Sequence, residues 1–359
     1  MRKGAVVAAS LALAVLPAPP AAAAPGAAAP GSPPDDSGTP AAAQPQFRIT
    51  DERIQESSGL TASRRHDGVY WTHNDSGAYG PEIYAVDGQG RTVATVTLTG
   101  EGVEARDWEA IAVGAGPDGE PAVYVGDIGD NFQGGWPSIR VYRLPEPRRL
   151  TDQAVRATSF TLVYEDGGRD AEAMMVDPRD NRLYVLSKEI AGGVYAAPER
   201  LDPDGRNTLE RVDSAPLYAT DAAFSPDGAY YAVRTYWAAT VYDASEGVRG
   251  RTVERVPLPE SDQGESLAFS HDGRSLLAGT EGPGSPVWSM PLERAADADG
   301  GADPSADASG RGGGSAGGGQ GASGAADADA GTGAAALIWT GVGLAAVVIA
   351  GIAVLARRS

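Results

Sequence analysis

The chain has 359 residues, with 29 Lys+Arg against 48 Asp+Glu and a formal net charge of −19. That balance excludes nucleic acid as a partner, because phosphate binding needs a basic surface. The sequence contains no Cys, which excludes disulfides, Cys-ligated zinc, a thiol nucleophile and a lipid-modified thiol.

In chain order, residues 1–24 read as a secretory signal peptide. Arg2 and Lys3 give the basic start, residues 5–16 the apolar run and residues 17–24 a small-residue cleavage region. The apolar run is too short to span a bilayer. Residues 25–45 are rich in Ala, Pro, Gly and Ser and are expected to be a disordered segment.

The segment 46–294 repeats itself. Five times an acidic residue opens a short apolar strand, a tight turn with Asp-Gly or Asp-Asn follows, and a second apolar strand comes next. The opening acids are Glu56, Glu109, Glu172, Asp221 and Glu265. The turns are Asp67-Gly68, Asp118-Gly119, Asp180-Asn181, Asp227-Gly228 and Asp272-Gly273. Such pairs supply the positive φ that hairpin turns require. Third strands are predicted at 83–86, 139–142, 194–197, 240–242 and 287–290, and fourth strands at 93–98, 158–164, 209–212 and 252–256. The last unit lacks a fourth strand, and the strand predicted at 46–50 has no unit of its own, so it can complete the last sheet. Four-stranded sheets repeated radially make an all-β propeller, and ring closure removes open sheet edges. The expectation is five four-stranded blades closed by the N-terminal strand, with a sixth if the long second unit hides further strands.

Residues 295–333 are rich in Gly, Ala, Ser and Asp and read as a flexible tether. The G-x-S-x-G match at 313–317 falls inside that tether, where no strand or helix can present a nucleophile. Residues 334–356 are an uncharged apolar run, followed at once by Arg357 and Arg358. The run is long enough for a transmembrane helix, and the arginines favour a cytoplasmic tail at 357–359. Together with the signal peptide, this predicts a single-pass type I protein of the cell membrane with an extracellular propeller.

In a propeller, the starts of first strands and the ends of second strands share one rim. That rim gathers most of the unusual chemistry. A ring of carboxylates raises its members' pKa values or recruits a cation, and oxygen donors suit Ca²⁺ or Mg²⁺. The candidate metal ligands are Glu56, Glu109, Glu172, Asp127, Asp130 and Asn131. Asp127-Ile-Gly-Asp-Asn131 looks like part of a calcium loop, although the EF-hand order is not met. Each acid has a plainer reading as an acceptor for backbone N–H groups of its own or the next loop. Glu109 or Asp107 could serve as a general base. His73, Asn74, Lys188, Arg234 and Trp237 are candidate ligand-binding residues. Lys188 and Arg234 could hold an anionic group, and Trp237 could offer a stacking platform. A Ser76 nucleophile served by His73 would have poor geometry within one loop. Trp71, Trp108, Met174 and Met175 are expected in the core.

The segments Ala223-Phe-Ser-Pro-Asp-Gly228 and Ala268-Phe-Ser-His-Asp-Gly273 are similar to the repeats of WD40-like and TolB-like propellers. Trp71-Thr-His-Asn-Asp-Ser-Gly77, Asp107-Trp-Glu-Ala-Ile-Ala112 and Tyr124-Val-Gly-Asp-Ile-Gly-Asp-Asn131 together resemble a group of secreted bacterial propeller proteins. In outline these are similar to phytase-like and calcium-dependent lactonase-type propellers. The resemblance implies a secreted propeller with a divalent cation near the channel mouth. No catalytic residue of either enzyme family carries over position by position. Three functions therefore stay open. The first is a surface module that binds a small molecule or an extracellular protein through its acidic rim. The second is a metal-dependent hydrolase of a phosphoester, lactone or glycoside. The third is a scaffold without a small ligand.

Overall fold

The computed structural model describes residues 43–293 apart from 76, 77, 133 and 262. The signal peptide, residues 25–42, the tether and the 334–356 run lie outside the described residues. Among the described residues, no helix is long and apolar enough to cross a membrane.

The described chain is all-β and propeller-like. Strand β1 (Gln44–Arg48) comes first and begins two residues inside the segment expected to be disordered. A first antiparallel meander follows: β2 (Ser57–Ala62), β3 (Val69–Asn74), β4 (Glu82–Asp87) and β5 (Thr92–Thr99). The second has β6 (Trp108–Ala115), β7 (Pro121–Asp127) and β8 (Ile139–Pro145), then a short β9 (Gln153–Arg156), then its own fourth strand β10 (Thr158–Tyr164). The third has β11 (Ala171–Val176), β12 (Leu183–Ser187), β13 (Gly193–Ala196) and β14 (Arg206–Ser214). The fourth has β15 (Ala219–Phe224), β16 (Tyr230–Thr235), β17 (Ala238–Asp243) and β18 (Thr252–Pro257). The last has β19 (Leu267–Phe269), β20 (Ser275–Gly279) and β21 (Pro286–Pro291). β1 pairs antiparallel with β21, Gln44 facing Ser289, and so supplies the missing fourth strand.

The long second unit does hide a strand, but β9 starts no further sheet. It pairs parallel with β5 on the outer edge of the first meander. β10 likewise pairs parallel with β14, which merges the second and third meanders into one eight-stranded sheet. The first strands β2, β6, β11, β15 and β19 each touch the next, and β19 returns to β2.

The core explains the arrangement. Each meander is apolar on both faces, so it must be covered on both sides. Trp71 and Ile83 of the first meander pack with Trp108, Ile111 and Tyr142 of the second. Tyr124 and Phe160 of the second pack with Met174 and Tyr195 of the third. The pattern continues through Met175 with Tyr231, and through Val241 with Leu276. Phe47 and Val287 of the last meander then pack on Leu60 and Tyr84 of the first, which completes the cycle. The tight turns behave as their sequence requires. Gly68, Gly119, Gly228 and Gly273 have φ of 71°, 78°, 71° and 69°, and Asn181 takes 63°.

Closure depends on one further glycine. Gly90, in the β4–β5 turn, has φ +78°, and a Cβ there would fall 1.6 Å from the carbonyl oxygen of Arg48 at the end of β1. Its own carbonyl accepts the Thr50 amide at 2.9 Å. Gly90→Ala is therefore expected to push the closing strand off the first meander and cost at least about 2 kcal/mol. Urea unfolding would measure it, and an unchanged midpoint would contradict this account of closure.

Candidate functional site

The acidic rim is built by irregularities at the starts of the first strands. Register shifts leave Ser58, Glu109, Glu172 and Thr220 out of their ladders. A bulge of this kind re-aims a side chain, here toward the channel. The five opening acids are therefore not equivalent. Only Glu109 and Glu172 occupy the bulge, while Ser58 and Thr220 take that position in the first and fourth meanders. Ser58 Oγ donates to Glu109 Oε2 at 3.0 Å.

Three carboxylates meet at the mouth. Asp75, Asp107 and Glu109 bring one oxygen each to within 4.8 Å of one another, and Asp107 and Glu109 are buried. The backbone of Gly129 lies against them, since a Cβ on that residue would fall 2.6 Å from Glu109 Oε1 and 2.8 Å from Asp107 Oδ2. Burial, then the charges of Asp75, Glu172 and Asp107, push the Glu109 carboxyl well above its usual range. Asn131 Nδ2 donates to both Asp107 oxygens, at 3.2 and 3.3 Å. Asn131 thus serves the trio as a donor to one of its members.

Next to the trio lie Glu172, Glu265 and Glu281. Lys188 Nζ is bonded to Glu172 Oε1 and lies 5.2 Å from the centre of the Tyr236 ring. The Oε2 atoms of Glu172 and Glu265 are buried without a hydrogen-bond partner, and the charge of Glu265 raises the Glu172 carboxyl. Burial and the neighbouring acids push both up, while Lys188 keeps its charge against the cost of burial because Glu172 faces it. Burial, followed by Glu265, Asp75 and Glu56, raises Glu281 to about 7. Glu56 is half-buried beside Asp75 and is raised by burial and by that neighbour. Asp170 joins these acids through Lys188, Asp107 and Glu172, so among the described residues eight carboxylates interact around one lysine.

Several residues assigned to this rim from sequence have other work. Asp127 is fully buried and accepts from Asp107 N at 2.9 Å and Tyr142 Oη at 3.0 Å, with Arg106 Nε 3.6 Å away. Asp130 accepts the amides of Phe132 and Trp136, both at 2.8 Å. These acids shape the loop and do not face the trio. His73 is fully buried, with Nδ1 2.8 Å from Asn74 O and its ring edge-on to Trp108. Burial lowers its pKa to about 4, so it stays neutral. Asn74 is also buried and accepts the amides of Gln55 and Glu56 while donating to Arg53 O. Neither can reach a ligand at the surface. Ser76 lies outside the described residues. Arg234 is buried and donates to Ser266 O at 2.6 Å and Gly279 O at 2.7 Å, which makes it a strut between the fourth and last meanders. Asp221 joins the same two meanders through Leu267 N at 2.5 Å.

Trp237 does face solvent, at 60% exposure, edge-on to Tyr236. Phe132, Ile190 and Leu217 are exposed in loops of the same rim, so an apolar crown surrounds the acids. The sequence places Asp75 and Glu281 on this rim as ends of second strands, but not the convergence of Asp75 with Asp107 and Glu109 or the apolar crown, because those loops are far apart in the chain.

No protein-family model matches the sequence, and no curated protein matches it. Solved structures do. The RRP9 WD40 repeats align at 11% identity over 70% of this chain and 100% of that one, with a TM-score of 0.36. The Cps50 (Swd1) β-propeller domain of Myceliophteria thermophila aligns at 12% identity over 69% and 99%, with a TM-score of 0.39. Hydrazine synthase of Kuenenia stuttgartiensis aligns at 13% identity over 66% and 72%, with a TM-score of 0.38. Likenesses this distant bear on neither ligand nor activity.

Proposed function

We propose that this chain is a five-bladed β-propeller, exported and held at the cell membrane by the 334–356 helix. In this reading it binds a basic polypeptide partner at its acidic mouth, with Ca²⁺ or Mg²⁺ on Asp75, Asp107 and Glu109. The observation that carries the reading is the convergence of three carboxylate oxygens from separate loops within 4.8 Å. The donors are all oxygen, which suits a hard cation, and the one nearby histidine is buried out of reach. A bound cation would offset the mutual repulsion of the trio. The remaining acids, Glu56, Asp170, Glu172, Glu265 and Glu281, would still attract cationic groups. The exposed Phe132, Ile190, Leu217 and Trp237 favour a polypeptide over a bare ion, because an apolar surround with anchoring aromatics is what protein interfaces use.

Binding fits the site better than hydrolysis. Burial and the charges of Asp75, Glu172 and Asp107 raise the Glu109 carboxyl, which favours a cation at the trio over a free carboxylate acting as base. Saturating Ca²⁺, at about a hundredfold over Kd, is expected to add about 2.7 kcal/mol. That is roughly 5–10 °C in a domain of this size. Asp107→Asn should remove the shift while the full-length chain stays folded. Melting curves with Ca²⁺ and with EDTA measure both, and superimposable curves for the unmutated chain would sink the cation site.

A further inference from the structure

The acidic mouth is one end of the central channel, and a cavity of about 510 Å³ opens at the other. Its walls come from all five first strands, through Leu60, Ile111, Met175, Ala222 and Ala268, with the strand-one to strand-two turns around its rim. That volume lies within the range of about 300–1,000 Å³ typical of small-molecule sites, which are mostly apolar with a few polar groups to orient the ligand.

Two such groups are present. Arg64 lines the cavity. Among the described residues only its backbone amide is engaged, with Glu146 Oε1 at 3.2 Å, and its guanidinium has no hydrogen-bond or ion-pair partner. Arg64 is exposed, at the lip of the cavity. What desolvation it has lowers its pKa, against the attraction of Glu146. Glu146 Oε1 accepts from Ser63 Oγ at 2.6 Å and Trp71 Nε1 at 2.9 Å, and its carboxylate makes no ion pair with the Arg64 guanidinium. His271 lines the same mouth, with its ring edge-on to Tyr70 at 5.1 Å and its Nε2 enclosed without a partner. Asp67 lines the same cavity, but among the described residues Arg64 is ion-paired with neither it nor Glu146, so the guanidinium is available to an anion.

We propose that this cavity binds a small monocarboxylate with an apolar body, the carboxylate on Arg64 and His271 and the body against the five first strands. A guanidinium suits the planar, two-oxygen geometry of a carboxylate, and the alanines on the wall leave room for the body. The site is separate from the acidic mouth and does not depend on a cation there.

Isothermal titration of the full-length chain in detergent, with sodium octanoate and sodium 2-naphthoate as probes, tests the site. Both acids are expected to bind at one equivalent with a Kd below about 1 mM. 1-Octanol should bind about tenfold more weakly or worse, the worth of a lost charge-assisted hydrogen bond. Arg64→Gln should weaken the acids to the same degree, while Arg64→Lys restores part of the affinity. Ala223→Leu, which narrows the cavity from its half-buried wall, should weaken both acids and keep the folded chain available if Arg64→Gln does not fold. The proposal is overturned by equal binding of octanoate and octanol. It is equally overturned by unchanged affinity in folded Arg64→Gln or Ala223→Leu, or by no heat from either acid at about 5 mM.

Discussion

Arg234→Met is expected to cost the folded state about 3–5 kcal/mol, the usual penalty for removing one partner from a buried charged cluster. Arg234 sits on β16, yet both carbonyls it serves belong to the last meander, Ser266 O at 2.6 Å and Gly279 O at 2.7 Å. Burial lowers its pKa to about 10, while Glu265 and Asp221 oppose the shift, so the guanidinium stays charged. Methionine fills much of the same volume and removes the charge. It would take one donor each from the Ser266 and Gly279 carbonyls and the nearest cation from Asp221, while Glu265 keeps Lys188. The Ser266 carbonyl keeps one donor, the amide of Gly279 at 3.1 Å, which argues for the lower part of the range. Urea unfolding of the full-length chain measures the loss. A midpoint within the scatter of the unmutated chain would show that the strut carries no load, and would return Arg234 to the ligand-binding role its position on the rim suggested.

That reversal shows what could be read from sequence. Local chemistry was legible. The Asp-Gly and Asp-Asn pairs set the turns, since a positive φ is a property of the turn residue itself. The closing strand was legible because one unit lacked a strand and one strand lacked a unit. Side-chain direction at the rim was not. A single extra residue at the start of a strand decides whether an acid faces the channel or the neighbouring sheet. Glu109 and Glu172 lie on such bulges, whereas Asp221 sits one place further along and clamps Leu267. His73 and Asn74 follow an apolar strand and read as loop residues, yet β3 runs through both and all six of its residues are buried. β9 went unseen because Gln-Ala-Val-Arg offers almost no apolar pattern, and its pairing with β5 is a long-range event. The Arg64 cavity was missed for a similar reason. Its walls are short stretches from five units, and its one cation lies in a turn that sequence reading treats as punctuation.

Stripped of divalent cation, the chain is expected to melt several degrees lower near pH 8.5 than near pH 5, the reverse of ordinary acid denaturation. Two groups of carboxylates set this, opposed only between about pH 4 and 6.5 by His73, which is held neutral by burial and so favours the folded chain as pH rises there. Asp51 is held at about 2, chiefly by its hydrogen bond with Arg53, and Asp87, Asp166, Asp243 and Asp272 are also lowered. Their contribution is complete above the ordinary aspartate value and disappears only below about pH 4. The mouth acids work in the opposite sense. Glu109, Glu172, Glu265 and Glu281 are raised, burial being the first cause in each. Above the unfolded glutamate value, the folded chain holds protons that the unfolded chain has released, so stability falls as pH rises. For Glu281 that window runs from 4.5 to about 7, and for Glu172 to about 9. A cation on Asp75, Asp107 and Glu109 would take the place of those protons at the trio, so saturating Ca²⁺ should flatten the fall and bind more tightly as pH rises. Melting curves across this range in EDTA and in Ca²⁺ separate the cases. Stability that climbs steadily from pH 5 to 8 in EDTA would mean that the mouth acids are ionised in the folded chain, and that Lys188 and solvent suffice to hold them there.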